Sequence, residues 1–134
     1  MKYLIDTNIC IYLIRQKSPA LLEKFTRFPI GDIGVSSITV AELQYGVHRS
    51  AQHARNQQAL EQFLIPLAIL DFDYDAAQAY GRLSAHLEAQ GTPIGSLDTL
   101  IAAHALAHQL TLVTNNVQEF ARVPELTIED WSSP

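Results

Sequence analysis

Residues 3–14, YLIDTNICIYLI, contain two apolar runs that are separated only by the polar triplet DTN at 6–8. The first run, residues 3–5, has the length of a short buried strand, and the second, residues 9–14, has the apolar spacing of a helix. Asp, Thr and Asn are residue types that cap helices. The stretch therefore predicts a strand, a tight turn and a helix in immediate succession.

The rest of the chain repeats this alternation of short apolar runs and amphipathic segments. Apolar runs predict further strands at 33–35, 67–72, 110–113 and 126–128. Helical periodicity, with caps at Ser18, Ser36-Ser37 and Ser96, predicts helices at 19–28, 38–49, 52–64, 75–90, 97–109 and 117–121. Because strands that alternate with helices form parallel β-α-β units, we predict an α/β domain whose central parallel sheet is covered on both faces.

Length and composition limit the architecture to one globular domain, residues 1–134. Apolar residues make up 48% and charged residues 17% of the 134 residues, a balance typical of a folded domain. The single Cys10 is expected to be a small buried hydrophobe. No apolar stretch approaches the roughly 20 residues of a membrane helix, and no leader peptide is apparent, so we expect a soluble, cytoplasmic protein.

Acidic and amide side chains follow the predicted strands or begin the next helices. Asp6 and Asn116 follow strands, Asp98 lies in the first turn of a helix, and Glu42 lies on the helix after the second strand. Each has a structural explanation: a helix cap, a turn residue, a charge that complements a helix dipole, or a partner for Arg49. Because ligands bind at the carboxyl edge of open α/β sheets, their convergence there favours a functional site.

Carboxylates brought together at one edge repel one another unless a cation holds them ionised. Hard oxygen ligands favour Mg²⁺, or alternatively Mn²⁺. The histidines do not resemble a metal site, because His104 and His108 are one helical turn apart but lack the Glu of an H-E-x-x-H motif. We expect both to be surface or partly buried side chains. Glycine-rich phosphate loops and G-x-S-x-G elbows do not occur in the sequence.

The order of several short segments resembles a known family from one end of the chain to the other. These segments are LIDTN (4–8), SITVAEL (37–43), GTPIG (91–95), DTLIAAHA (98–105), LVTNN (112–116), EF (119–120) and EDW (129–131). In this order they resemble the PIN-domain ribonucleases, and specifically the VapC toxins. The resemblance implies a three-layer α/β/α domain that hydrolyses RNA with the help of a divalent metal.

The resemblance also implies a role for each acidic residue. Asp6 and Asp98 match the family's principal Mg²⁺ ligands, and Glu42 matches its third acidic residue. Asn116 stands where the family often has a fourth acidic residue, which puts a second metal ion in doubt. Glu119, one helical turn later, is a candidate for the missing carboxylate.

Three further polar residues, Thr7, Asn8 and Thr114, are expected to orient the aspartates by hydrogen bonds without binding the metal themselves. The GTPIG loop and the EDW ending resemble the subgroup that cuts initiator tRNA in its anticodon stem-loop. The same resemblance implies a homodimer silenced by a VapB-like antitoxin. Basic side chains that are candidates for RNA backbone contacts, by charge alone, are Arg15, Lys17, Lys24, Arg27 and Arg49.

The net charge of −5 is unfavourable for an RNA-binding enzyme, and two alternatives to a nuclease remain open. A haloacid-dehalogenase-like phosphatase also begins with a strand followed by Asp, but it requires a second Asp where Asn8 stands. A receiver-like or inactive RNA-binding α/β module is the other alternative. A receiver requires an acidic pair after the first strand and a Lys after the last core strand, and neither occurs here.

Overall fold

The computed structural model describes residues 1–132, so that residues 133–134 of the predicted domain lie outside it. A five-stranded sheet, in which every pairing is parallel, has the order β3-β2-β1-β4-β5. Its strands are β1 Tyr3–Ile5, β2 Ile33–Ser36, β3 Ala68–Leu70, β4 Thr111–Val113 and β5 Ile128–Glu129. The helices are α1 Thr7–Ile14, α2 Pro19–Thr26, α3 Ser37–Arg49, α4 His53–Leu64, α5 Tyr74–Ala89, α6 Ser96–Ala107 and α7 Val117–Phe120. The predicted α/β fold with a parallel sheet is confirmed.

β1 lies at the centre of the sheet, between β2 and β4. Tyr3 is in register with Ile33 on one side and with Thr111 on the other. The chain builds outward from β1 through β2 to β3, and then crosses to the other side of β1 to form β4 and β5. The direction of strand addition therefore reverses between β1 and β4, and α/β sheets open a crevice for ligands at the carboxyl edge of such a point.

Helices cover both faces of the sheet and enclose two apolar cores. Tyr3 and Ile5 point to one face, where they pack with side chains of α1, α2, α3 and α4. Leu4 points to the other face, where it packs with side chains of α5, α6 and α7. This alternation is the side-chain period of a strand, and it produces the three layers that the resemblance implied.

The predicted helix starts are correct at α1, α2 and α3 but not at α6. Asp6, Ser18 and Ser36 each accept a hydrogen bond from a backbone amide of the first helical turn. At α6 the expected cap, Ser96, is already the first helical residue, and Gly95 occupies the cap position without a side-chain bond. The Thr99 hydroxyl instead donates to the Gly95 carbonyl at 2.9 Å, so a residue within the helix ties down the loop before it.

Both edge strands differ from their predicted bounds. β3 is shorter than 67–72 because the Phe72 amide donates to the Ser37 hydroxyl at 3.0 Å and so leaves the strand ladder. β5 begins at Ile128, because pairing with Leu112 of β4 starts there rather than at Leu126. In neither case does hydrophobic pattern alone determine the bounds, since they depend on contacts with distant residues.

Two further expectations concern Cys10 and the membrane. Cys10 lies on α1 and is fully buried, as predicted, and burial raises the pKa of its thiol well above the ordinary value. Within residues 1–132, none of the helices combines the length and the apolar character needed to cross a bilayer.

Candidate active site

Asp6 combines two structural roles at the centre of the carboxyl edge. Its Oδ1 accepts from the Ile9 amide at 2.9 Å, which caps α1, and its Oδ2 accepts from the Thr114 hydroxyl at 2.5 Å. Only 3% of the residue is exposed. Burial raises the pKa of the Asp6 carboxyl, the two hydrogen bonds oppose that rise, and the nearby charges of Glu42 and Asp130 add to it.

Thr114 fixes the orientation of Asp6 from the neighbouring strand. It follows β4 and is fully buried. While its hydroxyl donates to Asp6, its oxygen accepts from the Asn116 amide at 2.9 Å. The strand that pairs with β1 therefore determines where the Asp6 carboxylate points.

Glu42 reaches the same region from α3 and is held by threonine. The Thr7 hydroxyl donates to Glu42 Oε1 at 2.7 Å and lies 3.3 Å from the Thr39 hydroxyl. Thr7 thus contacts Glu42 rather than an aspartate. Asn8 is exposed, and its side chain makes no hydrogen bond to the part of the chain that the structure describes.

Asp98 lies in the first turn of α6, half-buried and close to other carboxylates. Burial, the charge of Glu119 and a hydrogen bond between these two carboxyl groups raise the pKa of Asp98 to about 7, with smaller contributions from Asp6 and Glu42. A carboxyl with this pKa is half protonated near neutral pH. Without a bound cation, Asp98 therefore carries a proton about half of the time at neutral pH.

Glu119 connects α7 to the loop before α6. Its Oε1 accepts from the Gly95 amide at 3.0 Å, and its Oε2 accepts from the side-chain amide of Asn116. A Cβ added to Gly95 would lie 3.6 Å from Asp98 Oδ2 and 3.9 Å from Glu119 Oε1, so this glycine borders the carboxyl pair. The side-chain amide of Asn116 therefore orients the Glu119 carboxylate.

Asp130 is a member of the cluster that the sequence reasoning did not select. Its charge raises the pKa of Asp6, and its Oδ1 accepts from the amide of Ser132 at 2.9 Å and from its hydroxyl at 2.5 Å. The signal was present, because Asp130 directly follows the last strand and so falls at the same sheet edge.

The acidic residues act on one another through space without forming a closed cage. The charge of Glu42 raises the pKa of both Asp6 and Asp98, and Asp6 also raises that of Asp98. Within residues 1–132, no three His, Cys, Asp or Glu side chains are placed so as to enclose a metal ion. The acidic side chains form an open cluster at the edge of the sheet, called the carboxylate crevice below, and the sharing of one ion by Asp6, Glu42 and Asp98 stays a prediction.

His104 differs from its expected position at or near the surface. It is fully buried, and its Nδ1 lies 2.8 Å from the Ser36 hydroxyl, which is also fully buried. His108 does lie at the surface, with its Nε2 2.9 Å from Asp73 Oδ2. Helical periodicity alone could not show that His104 is buried and His108 exposed, because the residues that cover His104 come from distant parts of the chain.

Two of the five basic candidates line one groove beside the carboxylates. The groove, of about 430 Å³, lies between α1, α3 and α4, and both Arg15 and Arg49 line it together with Glu42. Two other candidates have partners elsewhere: Arg27 pairs with Glu23 at 2.6 Å, and Lys24 lies over the Trp131 ring. The local charge near Glu42 is therefore more favourable to a polyanion than the net charge suggests.

Comparison with known sequences gives one consistent result. Residues 3–126 match the PIN domain. Ribonuclease VapC2 of Rickettsia felis is 44% identical over 132 residues, which are 98% of each chain. The tRNA(fMet)-specific endonuclease VapC of Shigella flexneri is 42% identical over 132 residues, covering 98% of this chain and 99% of its own.

Comparison with solved structures gives the same result for the fold. A chain in the crystal structure of VapBC2 from Rickettsia felis, bound to a DNA fragment from its promoter, superposes with a TM-score of 0.93. The two chains are 43% identical over 98% of this chain and 99% of the other. The likeness therefore extends over nearly the whole length of both molecules.

Proposed function

Because the chain belongs to the PIN-domain family and, within it, to the VapC ribonucleases, we propose that it is an endoribonuclease whose active site is the carboxylate crevice at the edge of the sheet. The observation that carries the proposal is the electrostatic coupling of Asp6, Glu42 and Asp98, which come from three distant parts of the sequence. Asp6, Glu42 and Asp98 are the proposed catalytic residues.

PIN-domain ribonucleases are metal-dependent in general, and we propose that Mg²⁺ is the ion here, with Mn²⁺ as a substitute. The donor set supports this ion, because it consists mainly of carboxylate oxygens close enough for Glu119, Asp6 and Glu42 to raise the pKa of Asp98. Asp6 and Asp98 are the proposed principal ligands, and Glu42, Asn116 and Glu119 are further candidates. When bound, the ion would supply a Lewis acid for phosphodiester hydrolysis.

The side chains of the protein prepare the reaction by orientation and by proton transfer. Thr114 and the Ile9 amide hold the Asp6 carboxylate in one direction, and Thr7 holds Glu42. In our proposal Glu42 accepts the proton of the attacking water, since it is half-buried and has one oxygen occupied by Thr7. Attack in line with the 3′-oxygen would leave a 5′-phosphate on the product.

We propose structured RNA, specifically the anticodon stem-loop of an initiator tRNA, as the substrate. The name of the Shigella flexneri relative supports this choice. Arg15 and Arg49 line a groove that includes Glu42, so their guanidinium groups are suited to bind phosphates on one side of the cleavage position.

A VapB-like antitoxin is the proposed protein partner, since the Rickettsia felis structure is of a VapBC2 assembly. The homodimer implied by the family resemblance remains part of the same proposal. Together these features describe the toxin of a toxin–antitoxin pair.

The test is cleavage of an initiator tRNA and of its isolated anticodon hairpin by purified protein. We expect cleavage in Mg²⁺, none in EDTA, and a loss of at least about 100-fold in the Asp98→Asn variant. A chromogenic phosphomonoester run in parallel tests the phosphatase alternative. Metal-dependent hydrolysis of the phosphomonoester without RNA cleavage would refute the proposal, as would full RNA cleavage by Asp98→Asn. RNA binding without turnover would favour the non-catalytic alternative.

A further inference from the structure

His104 is a buried polar residue that the proposed mechanism does not use. Its Nδ1 lies 2.8 Å from the hydroxyl of Ser36, and both residues are fully buried. The Phe72 and His108 rings pack edge-on against the imidazole, with centroids 5.3 and 5.4 Å away. The ring is therefore fixed in one orientation.

Packing alone does not account for a histidine at this position. In the described part of the chain, His104 Nε2 is a buried nitrogen without a hydrogen-bond partner. A buried polar atom without a partner lowers the stability of the fold, whereas an apolar side chain of similar volume would fill the space without that cost. The contact that the imidazole does make, with Ser36, is then the feature to explain.

Ser36 caps α3, the helix that carries Glu42, and His104 lies on α6, the helix that carries Asp98. Ser36 ends β2 and caps α3, because its hydroxyl oxygen accepts from the Ile38 amide at 3.1 Å. Glu42 follows on α3, and Asp98 precedes His104 on α6. Within residues 1–132, the bond between Ser36 and His104 is the only side-chain hydrogen bond that connects these two elements.

We propose that His104 is a positioning residue, which ties the last turn of α6 to the start of α3 and thereby fixes how the two helices lie and how far the Glu42 and Asp98 carboxylates are apart. The inference rests on the proposed function, because it concerns how the same crevice receives its metal. The crevice is open and its ligands come from separate helices, so a small shift of α6 relative to α3 would change the fit to an ion. Displacements of about 1 Å at a catalytic site reduce rates by as much as about 100-fold.

Three substitutions separate this role from a merely structural one. His104→Asn keeps a polar atom near the place of Nδ1, which faces Ser36, whereas His104→Gln moves it toward the place of Nε2. His104→Leu fills the volume without any hydrogen bond. His108→Asn is the control, since it removes the neighbouring ring but leaves the Ser36 contact intact.

The primary readout is Mn²⁺ affinity, measured by electron paramagnetic resonance on the purified protein, together with the thermal midpoint of each variant. We expect Leu and Gln to weaken Mn²⁺ binding by about 10- to 100-fold, and Asn and the His108→Asn control to stay within about threefold of wild type. The Leu variant removes the unpartnered Nε2 but also leaves the Ser36 hydroxyl without the imidazole, so its thermal midpoint should stay close to that of wild type. In the cleavage assay, kcat should fall with Mn²⁺ affinity while KM for RNA stays within about twofold.

Equal Mn²⁺ affinities for the Asn and Gln variants would overturn the inference, as would wild-type affinity in the Leu variant. If the Leu variant does not fold, the comparison of Asn with Gln decides. Absence of RNA cleavage in the wild-type protein would overturn the proposed function instead. The Mn²⁺ measurements would still test His104, because they depend on the carboxylates and not on RNA.

Discussion

At the scale of single residues, the site places a carboxyl group where its charged form is disfavoured unless a cation is bound. Asp98 shows this most clearly, because burial and Glu119 raise its pKa to about 7. In the unfolded chain the same group ionises near pH 4. Between these values the folded state binds more protons, so the stability of the metal-free protein falls as the pH rises from about 4 to 7.

The Asp98→Asn variant should lack this loss of stability. We expect its thermal midpoint, measured in EDTA by circular dichroism, to be close to that of wild type at pH 4 and higher than that of wild type at pH 8. Activity and stability thus change in opposite directions at one residue. A difference in midpoint that is the same at both pH values would contradict the assigned cause.

Thr114 gives a second prediction at this scale. Thr114→Val keeps the shape of the side chain but removes the donor to Asp6 and the acceptor for the Asn116 amide. We expect kcat to fall by about 10- to 100-fold and the free energy of unfolding to fall by about 1–3 kcal/mol. Thr114→Ser keeps the hydroxyl and serves as the control in the same cleavage and urea-unfolding experiments. Equal loss in the Ser and Val variants would exclude the hydroxyl as the cause.

At the scale of elements, the end of α5 determines how the chain enters the loop before Asp98. Gly91 has φ +69, its amide donates to the Glu88 carbonyl, and the Thr92 amide donates to the Leu87 carbonyl. This pair of bonds is the Schellman arrangement, in which the left-handed residue is usually glycine. A side chain at position 91 would therefore be strained even though the space around it is empty.

Two glycine-to-alanine substitutions in this segment should have opposite effects on stability. Gly91→Ala should lower the free energy of unfolding by about 1 kcal/mol, because alanine is disfavoured at this φ. Gly81→Ala, within α5 and with nothing near its added Cβ, should raise it by about 0.5–1 kcal/mol through helix propensity. Chemical denaturation of both variants checks this, and stabilisation by Gly91→Ala would refute the assigned backbone role.

The elements also show what sequence reasoning could and could not reach. Strand β1 and helix α1 were predictable because apolar period and capping residues act locally over residues 3–14. The bounds of β3 and β5 and the start of α6 were not, since they depend on a Ser37 hydroxyl, on register with β4, and on Thr99. Local signals therefore identify the elements, and distant contacts set their ends.

The same limit applies to the candidate site. Helix caps and strand ends indicated Asp6 and Asp98, because their positions follow from the order of elements. The hydrogen-bond partners of the carboxylates could not be predicted in this way. Thr7, for example, was expected to contact an aspartate but donates to Glu42. His104 was expected near the surface because only the assembled layers enclose it. The hydrophobic pattern predicts which helix or strand carries a residue, but it does not predict which residues the side chain contacts.

At the scale of the whole molecule, the fold brings the acidic residues of the site to the carboxyl edge of the sheet, where the order of strand addition reverses between β1 and β4. Asp6 follows β1, Asp130 follows β5, and Thr114, which binds Asp6, follows β4 between them. Because these strands are neighbours in the sheet, the three side chains lie side by side. Their proximity is imposed by the apolar cores on both faces and not by mutual attraction. The net charge of −5 adds a further repulsion that a bound cation reduces.

A divalent metal should therefore stabilise the entire domain, and the effect should depend on the acidic cluster. A ligand that binds only the folded state at about 100 times its Kd adds about 2.7 kcal/mol, which for a domain of this size corresponds to about 10 °C in thermal midpoint. We expect Mg²⁺ to raise the midpoint of the wild-type protein at pH 8 well beyond NaCl of matched ionic strength, which only screens charge. In the Asp98→Asn variant, whose amide adds no charge to the site, the two salts should act almost alike. If Mg²⁺ raised the thermal midpoints of wild type and variant equally, the ion would bind elsewhere on the acidic surface. That result would contradict the assignment of the crevice as the metal site.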